Sequence, residues 1–118
     1  IHCQAHAWTD PLPFLQEAHL LIRPSIACDP WGRDILEGMS LGCIPLATGL
    51  ISPFIIDGVN GYLVKKANPI DIATAISKIY DTSQSNLIII KEKTIHFSRK
   101  FSKEQYQTNL CNFLSKLH

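Results

Sequence analysis

The chain reads as an α/β domain, an open parallel sheet with helices on both faces, and three observations predict it. Short apolar runs alternate with segments of helical spacing along the chain. Turn and cap residues fall at the seams between them. The 118 residues are 46% hydrophobic and 18% charged, enough apolar content for one domain to bury a core.

Taken in order, Ile1 to Ala7 has the pattern of an edge strand. Asp10-Pro11 then offers a cap and a first-turn proline to a short helix running to about Ala18. Leu20-Leu21-Ile22 is a brief apolar run closed by Pro24, as a buried strand should be. Arg33 to Leu41 carries Ile35, Leu36 and Met39 on one side, with Gly42 as a helix stop. Cys43 to Thr48 is the next strand. Gly58 and Gly61 bracket a turn before the strand Tyr62-Leu63-Val64. Asn68-Pro69 opens a helix in which Ile72, Ala73, Ile76, Ile79 and Tyr80 recur at helical spacing. Asn86 to Lys91 has β-branched, strand-like propensity, but the polar stretch up to Lys100 favours a helix throughout. Ser102 and Gln105 have capping-box spacing, and the last helix lines Tyr106, Leu110, Phe113, Leu114 and Leu117 along one stripe that must find a partner.

Charge and composition narrow the function. Eleven basic residues balance ten acidic ones, with no basic run interleaved with aromatics, so a nucleic-acid partner is not expected. The longest apolar stretches, Leu87 to Ile90 and the Pro-broken Leu50 to Ile56, fall well short of the roughly 18 residues that span a bilayer. Cys3, Cys28, Cys43 and Cys111 form no CxxC and sit in apolar surroundings, the pattern of buried thiols in a reducing compartment. The five histidines show no metal-ligand spacing. No signal pattern opens the chain, and Ile1 reads as mid-strand, so a fragment of a longer protein is expected.

The segment Asp29 to Glu37 carries the chemistry. It sets two carboxylates eight positions apart around Trp31, Gly32 and the start of a helix, just after a strand. Ionised carboxylates grip hydroxyl-rich ligands, and helix N-termini grip phosphates. In a parallel sheet such ligands sit at the carboxyl ends of the strands. Two plainer readings stay open. Asp29-Pro30 also suits a helix cap with proline in the first turn, and Glu37 also suits a solvated side chain paired with Arg33 one turn earlier.

Four blocks, in order, carry a family resemblance. They are Pro24-Ser25, then Asp29-x-Trp31-Gly32-x4-Glu37-Gly38-Met39, then Gly42 to Thr48, then Asp57-Gly58-Val59-Asn60-Gly61-Tyr62-Leu63-Val64. Together they resemble the C-terminal domain of glycosyltransferase family 4, the group 1 glycosyl transferases. The resemblance implies a GT-B fold, in which two Rossmann-like domains face across a cleft. This chain, 1–118, would then be most of the second domain, which binds the nucleotide-sugar donor, with the acceptor domain absent and the fragment inactive alone. It further implies a retaining enzyme that moves a hexose-like sugar from a nucleoside diphosphate to a glycan or lipid-linked acceptor in polysaccharide or glycoconjugate synthesis. No cofactor or metal is implied beyond that donor, and the setting is the cytoplasm or the cytoplasmic face of a membrane.

Carried over by position, Asp29, Trp31 and Gly32 would meet the donor sugar, while Arg33, Asp34 and Glu37 would meet the nucleotide, with Glu37 accepting from the ribose hydroxyls. The resemblance assigns no catalytic nucleophile or base. Asp29 stands where the family has Glu, the Gly-Gly loop expected between Thr48 and Asp57 is shortened, and Asp34 adds a negative charge beside the diphosphate site. These departures keep a non-catalytic GT-B half, a nucleotide-binding or interaction module, as the alternative. The absence of G-x-G-x-x-G argues against a dinucleotide oxidoreductase.

Overall fold

The structure is a computed structural model that describes residues 3–26, 32–49 and 52–117. Among these, three strands form one parallel sheet in the order β1 (Leu20–Arg23), β2 (Ile44–Thr48) and β3 (Tyr62–Val64). Leu20 pairs with Ile44 at one end of the register, and Thr48 with Val64 at the other. The helices are α1 (Leu12–Glu17), α2 (Arg33–Ser40), α3 (Pro69–Tyr80), α4 (Gln84–Ser98) and α5 (Lys103–Ser115), with a 3-10 turn at Arg99–Phe101. The Asn86–Lys91 segment is helical because Leu87, Ile90 and Thr94 turn inward at helical spacing, overriding its β-branched propensity.

β2 is the central strand, and its residues Ile44 to Ala47 are buried in succession. Successive strand residues point to opposite faces, so both faces of β2 are covered. α2 and α4 pack on each other and on β2, while α3 meets β3. The core cluster joins Ile35 and Met39 of α2 to Ala47, Phe54 and Ile55. Gly38 lets α2 lie close to β1, since a Cβ there would stand 2.7 Å from Leu21 Cδ2.

At α3 and α5 the caps fall where the residues predicted them, while at α1 the cap position is Pro11 and Asp10 just before it accepts from the first turn. Asp10 Oδ1 accepts from the Leu12 N–H at 3.0 Å, Asn68 Oδ1 from Asp71 at 2.9 Å, and Ser102 Oγ from Gln105 at 3.1 Å. At the end of α2, Gly42 adopts φ 84, its N–H donates to Met39 O, and the Cys43 N–H donates to Gly38 O. That paired pattern closes the helix with glycine in the left-handed region.

Three expectations need correction, and a fourth, the cover for α5, is not met among the described residues of this chain. Residues 3–7 form no strand, so the described sheet begins at Leu20. Of the thiols, Cys43 is buried but Cys3 and Cys111 are exposed, because one lies in the irregular N-terminal segment and the other on α5. Cys28 lies outside the described residues. In α3 the inward side is Ile72, Ile76 and Ile79, while Ala73 and Tyr80 face solvent. On α5 the stripe of Tyr106, Leu110, Phe113, Leu114 and Leu117 stays exposed among the described residues, since that helix packs chiefly on the 3-10 turn.

Candidate functional site

A cleft of about 770 Å³ opens on the N-terminus of α2, lined by Arg23, Gly32, Arg33, Asp34, Leu36, Glu37, Phe54 and Phe101. Arg23 is the last residue of β1, and Phe54 follows β2, so the cleft lies at the carboxyl side of the sheet. This is where an open α/β sheet binds its ligands. Gly32, Arg33, Asp34 and Glu37 are therefore brought together on one surface. Asp29 and Trp31 lie outside the described residues.

Gly32 caps α2 with φ 41 and ψ 54, a conformation that suits glycine. A Cβ at this position would come within 2.9 Å of both Arg23 Nη1 and Ile35 Cδ1. The bare backbone therefore makes room for the Arg23 guanidinium beside the helix start. The helix begins at Arg33, with Gly32 at its cap. The alternative reading of Asp29-Pro30 as a helix start lies outside the described residues.

Charges in the cleft are paired. Arg23 Nε stands 2.9 Å from Asp34 Oδ2, with the arginine side chain 21% exposed and the carboxylate 52%. Asp34 lies in the first helical turn, where a negative charge suits the helix dipole. The pair offsets the charge that Asp34 brings to the site. Arg33 Nε and Glu37 Oε1 stand 3.7 Å apart on consecutive turns, both well exposed. An exposed pair at that distance contributes little, so Glu37 is open to exchange Arg33 for a ligand hydroxyl. Its side chain is 51% exposed on the cleft, not in the core.

The backbone around the cleft is fastened from beneath. Thr48 Oγ1 donates to Ser25 O at 2.6 Å, tying the end of β2 to the loop after β1. Asn60, 2% exposed, accepts from the Ile56 N–H at 2.7 Å and donates to Phe54 O at 3.0 Å. Thr94 Oγ1 of α4 donates to Asn60 O at 2.9 Å. Asp57 Oδ1 accepts from the Leu63 N–H at 2.9 Å, and Gly58 supplies φ 73 for the turn. The Asp57-Gly58-x-Asn60-Gly61 block thus works as a clamp that sets Phe54 in the cleft wall.

Sequence reasoning missed Arg23, Phe54 and Phe101 as lining residues. Arg23 carried one signal, a cation ending an apolar strand just before Pro24. The two phenylalanines carried none, since cores use the same residue type.

An α/β domain with a helix N-terminus and partly exposed carboxylates on the cleft at its strand ends has the Rossmann-like architecture. Residues 2–82 match the family model for glycosyl transferases group 1, and the chain belongs to that family. It is 31% identical over 94 residues to an uncharacterised glycosyltransferase of Methanocaldococcus jannaschii, covering 78% of this chain and 26% of that one. Among solved structures it is similar to Anabaena HepE in complex with UDP and glucose, at TM-score 0.79 and 21% identity. That match covers 92% of this chain and 30% of the other. A glycosyltransferase of Rickettsia africae gives TM-score 0.75 at 23% identity, again over 92% and 30%. The fold is thus the Rossmann-like α/β fold of GT-B glycosyltransferases, and the chain spans less than a third of the length of these relatives.

Proposed function

We propose that this chain is the nucleotide-sugar-binding domain of a retaining glycosyltransferase that transfers a hexose-like sugar from a nucleoside diphosphate to a glycan or lipid-linked acceptor. The observation that carries the reading is the placement of Glu37 and the N-terminus of α2 on one cleft at the strand ends. Along α2, Arg33 and Glu37 are four residues and about 6 Å apart at 1.5 Å per residue. That spacing lets the helix start receive a diphosphate while Glu37 receives the ribose one turn on. The resolved complexes of Anabaena HepE with UDP and with UDP-glucose support a uridine donor for a fold of this kind.

In this reading Arg23, Arg33 and the helix N-terminus stabilise charge on the departing diphosphate. Asp34 stays paired with Arg23 and pointed off the phosphates. Gly32 lets the donor approach the backbone, and Asp29 and Trp31 meet the sugar. The acceptor hydroxyl oxygen bonds to the anomeric carbon, the bond from that carbon to the diphosphate oxygen breaks, and the hydroxyl proton leaves on the diphosphate. Attack on the face the diphosphate leaves would retain the anomeric configuration.

The test is a transfer assay on the full-length protein with UDP-glucose and a panel of glycan and lipid-linked acceptors, with product anomers read by NMR. A glycoside with the donor's anomeric configuration is expected. Tight UDP binding with no transfer or donor hydrolysis would favour the non-catalytic module instead, and an inverted product would remove the retaining assignment.

A further inference from the structure

We propose that Asn60-Gly61 is a deamidation site that folding holds closed, and that a chain modified there while open no longer returns to the native state. The site lies in the turn that sets the cleft wall, and the inference does not depend on which ligand the cleft takes.

The sequence supplies the reactive pair. Of Asn60, Asn68, Asn86, Asn109 and Asn112, only Asn60 precedes a glycine. With no Cβ to hinder it, the Gly61 backbone nitrogen reaches the Asn60 side-chain amide more freely than that of a larger residue. That nitrogen gives up its proton to base and attacks Asn60 Cγ, so that the N–Cγ bond forms, the Cγ–Nδ2 bond breaks and ammonia leaves. Water then opens the cyclic imide at one carbonyl to give aspartate, or at the other to give isoaspartate.

The fold requires both members of the pair. A Cβ at Gly61 would stand 2.6 Å from Pro45 Cγ and 2.9 Å from Pro45 O, so a larger residue would push against the central strand. Asn60 is 2% exposed, and its amide supplies both the acceptor for the Ile56 N–H and the donor to Phe54 O. Those two bonds fix the side chain. The peptide groups on either side of the Gly61 nitrogen and Cα are fixed as well, since Asn60 O accepts from Thr94 Oγ1 at 2.9 Å and Gly61 O accepts from the Gly58 N–H at 2.9 Å. Ring closure must turn the amide and the peptide towards each other, which breaks this set of bonds. Reaction is therefore confined to the fraction of chains in which the turn has opened.

Neither product fits the closed turn. Aspartate has no N–H for Phe54 O and sets a negative charge against that carbonyl in a buried site. Isoaspartate lengthens the backbone where the contact with Pro45 leaves no slack. Either one releases the backbone that carries Phe54.

The test incubates the full-length protein in mildly alkaline buffer, folded in one arm and unfolded in urea in the other. The unfolded arm is then returned to native buffer, native chains are separated from the rest by size exclusion, and peptide mapping reads asparagine, aspartate and isoaspartate at position 60. Deamidation at Asn60 is expected to run at least about tenfold faster in the unfolded arm, because only open chains react. Modified chains should be depleted at least about tenfold from the native fraction. Asn60→Asp should lower the urea midpoint or prevent folding. Equal rates in the two arms, modified chains shared alike between native and non-native fractions, or an Asn60→Asp variant with the parent's midpoint would each overturn the proposal.

Discussion

Arg23, the last residue of β1, holds the Asp34 carboxylate in the first turn of α2 at 2.9 Å, joining the strand end to the helix start across the mouth of the cleft. The pair matters because an unpaired Asp34 would repel the phosphates that the helix dipole attracts. In Arg23→Ala a cation is lost and an anion released, so UDP binding should weaken by about 1 kcal/mol or somewhat more, given the partial exposure of the pair. Asp34→Asn alone should bind UDP no less tightly than the parent. Titrations of the two single variants and the double variant check this, and the double variant should recover part of the loss.

Gly32 should resist substitution. In Gly32→Ala the left-handed backbone costs about 1–2 kcal/mol, and the new Cβ presses on Arg23 Nη1 and Ile35 Cδ1. Thermal unfolding should show a lowered Tm, and UDP affinity should fall along with it because Arg23 is displaced. A variant as stable as the parent would mean that the αL cap is not required.

Asn60→Ala removes both side-chain bonds that hold the Phe54–Ile56 backbone in a buried site. Leaving Phe54 O and the Ile56 N–H unsatisfied should cost about 1–3 kcal/mol each at most, with the lower end expected if water enters. Chemical denaturation gives the number. A loss below about 0.5 kcal/mol would show that the clamp is dispensable.

Cys43 gives a pH signature. Burial raises its thiol pKa above the ordinary 9.0, an effect only partly offset by the Lys91 charge, and its Sγ donates toward Leu15 O at 3.1 Å. The folded state therefore favours the neutral thiol. That contribution is fully present below the ordinary thiol value and is lost as pH rises through the raised one. The Tm difference between the parent and Cys43→Ala should shrink from neutral pH to about pH 10.5. The exposed Cys3 and Cys111 are common to both proteins and cancel.

Much of this architecture was legible because it depends on local signals. Pro24, Gly42, Asn68-Pro69 and Ser102 mark element ends through backbone rules that hold in any context. Glu37 was legible as a cleft residue because Ile35 and Met39 fix which side of α2 is buried. Long-range placement was not legible. Nothing near Phe101 in the chain shows that it will line the same cleft as Glu37, since α4 and its packing on α2 intervene. The exposed stripe of α5 shows the reverse limit, because an amphipathic pattern states that a face wants cover without stating which surface provides it.

In the proposed donor site Glu37 and Asp29 divide the donor between them, Glu37 holding the ribose and Asp29 the sugar. Calorimetry on the full-length parent, Glu37→Ala and Asp29→Ala, each with UDP and with UDP-glucose, tests it most directly. Glu37→Ala should weaken both ligands by about 1.5–3 kcal/mol, the range of a hydrogen bond to a charged group, or roughly tenfold and more. Asp29→Ala should spare UDP and weaken only UDP-glucose. Equal affinities across all three proteins would contradict the account, leaving Glu37 a solvated partner of Arg33 and Asp29 without a role in the donor site.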